Sequence, residues 1–192
     1  MAAAGFLLFW APVYWHYWGL DNFLFLCDLA LMFGCLGLVL QSPLLISSQT
    51  LSILLISVFW IVDAGWHVVS GHNLFGATDY MFDSQYPLWL RLISLFHLVL
   101  PLVLLWALDR TGYDRRAFRF QALVALAAIL ASRTAKASLN INFAYTNPFS
   151  HRQIGTAPVH LTVTFLAVAF GLYLPAHIGL RKLFAPSVRT NS

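Results

Sequence analysis

Apolar residues in this chain come in long blocks, without the spacing of an amphipathic helix or a half-buried strand. The blocks at 22–40, 46–69, 88–108, 118–138 and 158–180 are each close to the ~20 residues that a bilayer core demands. Polar residues and turn formers gather between them: QSP at 41–43, SGHNLFGATDYMFDSQYP at 70–87, DRTGYDRR at 109–116 and NINFAYTNPFSHRQIGTAP at 140–158. The pattern predicts an all-α polytopic transmembrane bundle of five spans, treated as a single integral membrane domain over 1–192.

The first twenty residues fit that pattern less well. FLLFWAPVYWHYW at 6–18 is dense in Trp and Tyr and interrupted by Pro12, as expected of a segment lying in the membrane–water interface. A sixth span over these residues is the alternative. The N-terminus has no charged n-region and no small-residue cleavage site, so it does not read as a cleaved signal peptide.

Composition agrees with the pattern: 60% of the residues are hydrophobic, 9% are charged, and all seven acids are Asp. The formal net charge of +4 is divided among loops and forms no basic stripe, which argues against a nucleic-acid partner. Arg110, Arg115, Arg116 and Arg119 in one loop, and Arg181, Lys182 and Arg189 in the tail, orient the chain by the excess of basic residues on the cytoplasmic side. The N-terminus then lies outside and the C-terminus in the cytoplasm, with a bacterial inner membrane as the expected location. Cys27 and Cys35 share one helix about 12 Å apart by helical rise, too far for a disulfide.

On this map the intramembrane polar residues converge. Asp28 and Asp63 lie about 9 Å below the outer ends of spans one and two, and His67 is one turn nearer the surface. Arg91, Ser94 and His97 occupy the first turns of span three, Arg133 and Lys136 the outer end of span four, and His160 the first turn of span five. Such residues are expensive in lipid and mark a site. They predict a polar pocket in the outer half, with the inner half almost free of polar groups except Gln121 and His177. Arg91, Arg133 and Lys136 would neutralise the two carboxylates and, with Asp28 and His160, hold an anionic head group. The loops at 76–87 and 140–149 are long enough to fold over the pocket as a lid, or to be ordered connections.

Candidate chemistry follows from residue type and spacing. Asp63 and His67 are i and i+4, close enough for the carboxylate to fix the imidazole tautomer; a plain structural pair is the other reading. Cys27 could act as a nucleophile or as a small packing residue. His97, one turn before Pro101, could be a base, a ligand, or a histidine bonded to a freed carbonyl. His67, His97 and His160 with one Asp could hold a zinc ion, although each would come from a different helix. No other cofactor is expected.

LCDLAL at 26–31, SLFHLVLP at 94–101 and GATDYMF at 76–82 resemble stretches of the YwaF-like integral membrane proteins, whose relatives include a phospholipid acyltransferase thought to use a cysteine and a histidine. LWLRLISLFH and the 140–158 loop also look like small bacterial multi-pass membrane proteins of this size. The resemblance implies an acyltransferase or lipid hydrolase acting on membrane lipid, with Cys27 as the acyl acceptor and His97 as base. Two further readings remain: a non-catalytic small transporter or ligand-binding protein, and a structural subunit, either a homo-oligomer or part of a membrane complex.

Overall fold

Ser42 and Pro43 open the longest helix, with the Ser42 hydroxyl accepting the Leu45 N–H and Pro43 at the first helical position, where its missing N–H costs nothing. Gly71 closes it at φ +79°, a backbone conformation that favours glycine. This helix, α3 (Pro43–Ser70), is the axle of the molecule, packing against α2 (Leu26–Leu40), α6 (Phe96–Thr111) and α7 (Ala117–Ser132). The computed structural model describes residues 2–184, which contain no β-strand. The remaining helices are α1 (Ala2–Trp18), α4 (Asp79–Phe82), α5 (Leu88–Ile93), α8 (Ala157–Leu166) and α9 (Leu174–Leu183). Arg189 lies outside the described residues.

Three helical stretches are long and apolar enough to cross a membrane: Pro43–Ser70, Leu88–Thr111 and Ala157–Leu183. The expected blocks at 22–40 and 118–138 form shorter helices of 15 and 16 residues, about 22–24 Å each against a hydrocarbon core of ~30 Å. A 3₁₀ turn at Leu20–Leu24 precedes α2. α7 ends at Ser132, and the chain continues through 3₁₀ turns at Ala137–Leu139 and Ile141–Phe143. Arg133 and Lys136 therefore sit in this connection and not inside a helix. The stretch over 88–111 is interrupted at Ser94–Leu95, where i→i−3 bonds join α5 to α6. Ala167–Tyr173, joining α8 to α9, is wound as a π-helix.

α1 packs against α2. Trp10 is its anchor, fully buried with ring contacts to Tyr14, Phe23 and Phe96, while Trp15 on the other side is exposed. Small residues govern the approach of α2 to α3. A Cβ placed on Gly37 would stand 2.9 Å from Leu45 Cβ, so only glycine allows this closeness. Such small-residue contacts let two helix backbones approach closely.

Candidate functional site

The polar residues of the α2 N-terminal end come together, though in a different arrangement from the one their spacing predicts. Asp28 is buried and accepts a 2.5 Å hydrogen bond from Asn22 Nδ2. Among the described residues it has no salt bridge; the one ion pair joins Arg116 to Asp114. Arg91 donates instead to the Met81 carbonyl, and its buried Nε has no partner. Arg133 donates to the Ala144 carbonyl and lies over the Tyr145 ring, and Lys136 is exposed. The expected neutralisation of Asp28 by Arg91, Arg133 and Lys136 therefore does not occur: Arg91 and Arg133 satisfy backbone carbonyls, and Lys136 is exposed on the connection after α7.

Two tyrosine hydroxyls that the sequence did not single out lie in the same region of the interior. The Tyr14 hydroxyl pairs with Ser94 Oγ at 2.8 Å, and Trp60 Nε1 donates to the Tyr80 hydroxyl at 3.1 Å. Tyr14 and Tyr80 both lie within electrostatic range of Asp28. His97 donates Nδ1–H to the Ser94 carbonyl at 2.9 Å and is sandwiched between Trp60 and Phe96. The carbonyl that holds this histidine is that of Ser94, not the one that Pro101 frees four residues before it. The hydroxyls come from α1, α4 and the α5–α6 turn, and only the assembled fold brings them together.

Asp63 and His67 do not pair. The fully buried Asp63 carboxylate takes four hydrogen bonds from the following loop: Leu74 N–H at 2.8 Å, Phe75 N–H at 2.7 Å, Thr78 N–H at 2.9 Å and the Thr78 hydroxyl at 2.7 Å. A carboxylate with its lone pairs so occupied is a structural anchor. His67 reaches Asn73 Oδ1 through Nδ1 and stacks on Phe82; Asn73 in turn donates to Asp79. The i,i+4 spacing allowed the Asp63–His67 pair, but the loop's amide groups are better placed donors.

His160 is also committed to structure. It accepts the Ile154 N–H at Nδ1 and donates Nε2–H to the Phe143 carbonyl, each at 3.0 Å. Both ring nitrogens of this buried histidine are thus spent on tying the 140–156 connection together. Among the described residues no three or more His, Cys, Asp or Glu side chains are grouped so as to hold a metal ion. Among the described residues Cys27 hydrogen-bonds no histidine side chain; it lies within electrostatic range of Asp28, Tyr80 and Tyr173.

Below Cys27 lies a second polar network, which corrects the expectation of an apolar inner half. Gln49 Nε2 donates to Gln121 Oε1 at 3.1 Å and to Ser48 Oγ at 2.9 Å. Gln121 Nε2 reaches the Tyr173 hydroxyl at 3.4 Å, and that hydroxyl also pairs with Ser52 Oγ at 3.3 Å. Gln49 Oε1 and Ser57 Oγ are buried without a partner among the described residues. The signal was present in the SSQT run at 47–50, which falls at the start of α3 and was masked by its apolar flanks. Tyr173 is aimed by the π-helix, whose wider turn re-phases the side chains beyond it.

The arrangement defines a class: an all-helical chain, compatible with a membrane protein, whose interior carries buried polar networks on either side of one cysteine. Comparison with protein-family models, curated proteins and solved structures finds no match.

Proposed function

We propose that the chain is a small non-catalytic membrane transporter that binds a proton, or an equivalent small cation, at Asp28. The observation that carries this is a buried carboxylate with one amide donor and no cationic partner among the described residues. An ionised carboxylate in such surroundings is costly without a counter-charge. Uptake of a proton or cation removes that cost, and its release restores it, which is how an intramembrane carboxylate couples to a gradient. The hydroxyls of Tyr14, Ser94 and Tyr80 lead to the site from one end. Tyr173, Gln121, Gln49 and Ser52 continue toward the other.

On this reading α2 and α7 complete two further crossings with their flanking turns, giving five spans in a bacterial inner membrane. The arginine-rich 109–119 loop then faces the cytoplasm and the N-terminus the outside. Acyl transfer to Cys27 has less support, because His97 is engaged with the Ser94 carbonyl and no imidazole is bonded to the thiol.

Reconstitution into liposomes containing a pH-sensitive dye tests the proposal. The wild-type protein should dissipate an imposed pH gradient, and Asp28→Asn should abolish that flux while melting like the wild type. Flux no faster than in empty liposomes, or equal flux in Asp28→Asn, would overturn it. An acyl adduct on Cys27 in intact-protein mass spectra, absent from Cys27→Ala, would favour lipid-directed chemistry instead.

A further inference from the structure

At the end of the bundle opposite Asp28, Arg115, Arg116, Phe118, Arg119, His177 and Arg181 line a cavity of about 350 Å³. Three of the guanidiniums come from the start of α7 and its preceding loop, the fourth from α9. Their position conflicts with elementary helix electrostatics. The N-terminus of α7 is the positive end of its dipole and favours anions, yet it has no acidic residue in its first turn and no side-chain cap. Four guanidiniums face a single carboxylate, Asp114, which takes only Arg116, at 2.7 Å. Arg115, Arg119 and Arg181 have no salt bridge among the described residues.

The loop carrying these arginines is held in place. The Asp114 N–H donates to Ser47 Oγ at 2.9 Å and the Tyr113 N–H to the Phe184 carbonyl at 3.2 Å. The Tyr113 hydroxyl meets His177 Nδ1 at 2.7 Å. Burial, with Asp114 adding to it, pushes the Tyr113 phenol well above its ordinary range, so it remains a neutral O–H able to donate to Nδ1. His177 then presents Nε2–H as a donor on the cavity side. Phe118 packs at 5.4 Å from the imidazole and supplies an apolar wall.

We propose that this cavity binds a phosphate group, either the head-group phosphate of an anionic phospholipid or a soluble phosphate. Planar guanidiniums match phosphate oxygens two at a time, and the positive end of the α7 dipole favours an anion beside them. A bound anion relieves the repulsion among the arginines and completes the helix terminus. The inference is independent of Asp28, which does not line this cavity.

The test uses full-length protein in nanodiscs of phosphatidylcholine, with two additions made separately: phosphatidylglycerol in the bilayer, or inorganic phosphate in the buffer. Thermal melting and native mass spectrometry report binding. The additive that is the ligand should raise the wild-type melting temperature, and its affinity should fall about tenfold for each of Arg119→Gln and Arg181→Gln. Arg110→Gln removes the same charge from the same end but lies outside the cavity, so it should leave binding unchanged. A phosphatidylglycerol response identifies a lipid head group, and a phosphate response a soluble anion. No shift with either additive, or an equal loss in Arg110→Gln, would overturn the site and leave only general surface attraction. Should Arg181→Gln fold poorly, Arg115→Gln provides the same readout from the loop.

Discussion

Thr78 gives the Asp63 carboxylate two hydrogen bonds at once, one from its backbone N–H at 2.9 Å and one from its hydroxyl at 2.7 Å. With the Leu74 and Phe75 amides, this fixes the whole 71–78 turn to the end of α3, and the turn in turn places Tyr80 over Trp60. A carboxylate whose spacing suggested that it would orient the His67 imidazole instead holds the following loop in position.

Asp63→Ala is expected to destabilise the protein by about 3 kcal/mol or more, since bonds to a charged group are the strong ones. In a chain of this size that corresponds to a melting temperature roughly 6–12 °C lower. Hydrogen exchange should show the loss of protection concentrated in residues 71–82. Exchange spread evenly over the helices would contradict the anchoring role.

Gln121→Leu should cost about 1–3 kcal/mol, because it takes one hydrogen-bond partner each from Gln49 Nε2 and the buried Tyr173 hydroxyl, leaving them Ser48 and Ser52 alone. Gln49→Leu removes a side chain whose Oε1 already lacks a partner and should cost less. The double variant should be more stable than the sum of the two singles predicts, and a thermal-melting double-mutant cycle measures that coupling. Strict additivity would mean that the two glutamines do not interact.

Asp114 supplies a pH dependence. Its hydrogen bonds to Arg116 hold the carboxyl below the ordinary range, although partial burial opposes them. A carboxyl depressed in the folded state adds stability that is complete above its unfolded value of ~3.9 and is lost as pH falls further. Melting curves of the wild type and Asp114→Asn should therefore converge as pH drops below roughly 4 and run parallel above it. Curves that diverge on acidification would reverse the sign.

Gly37→Ala should be disruptive out of proportion to one methyl group. The new Cβ would stand 2.9 Å from Leu45 Cβ and 3.1 Å from the Ile46 nitrogen. Forcing α2 away from α3 is expected to cost about 1–3 kcal/mol. Gly34→Ala, whose Cβ would meet Leu104 methyl carbons at an ordinary 3.5 Å, should be tolerated and makes the control.

The helices were legible from the sequence because long apolar blocks and turn residues act locally; QSP at 41–43 marks the α2–α3 turn as expected. Where the blocks end was less legible. Arg133 and Lys136 looked like helix residues until the turns after Ser132 placed them in the connection. That Asp28 and Asp63 are buried could be inferred from their depth along each block, but their partners could not. Asp63 and His67 share a helical face, yet each is claimed by residues of the next loop. Tyr14 and Tyr80 enter the site from segments read as interface and loop, where an aromatic hydroxyl has an ordinary place at the surface. Pairings across helices depend on rotation about each axis, which linear spacing leaves free.

Asn142 accepts the Leu26 N–H at 2.9 Å and donates to the Leu24 carbonyl at 2.7 Å, giving α2 the cap that Phe25 cannot provide. The two partners in the first of these bonds are separated by 116 positions. During synthesis α2 therefore leaves the ribosome with its first turn unfinished, and that turn stays uncapped until Asn142 has been made. A chain truncated before residue 142 should persist as a frayed intermediate, exposed to membrane quality-control proteases. The order of translation, as much as the final geometry, sets when this bundle closes.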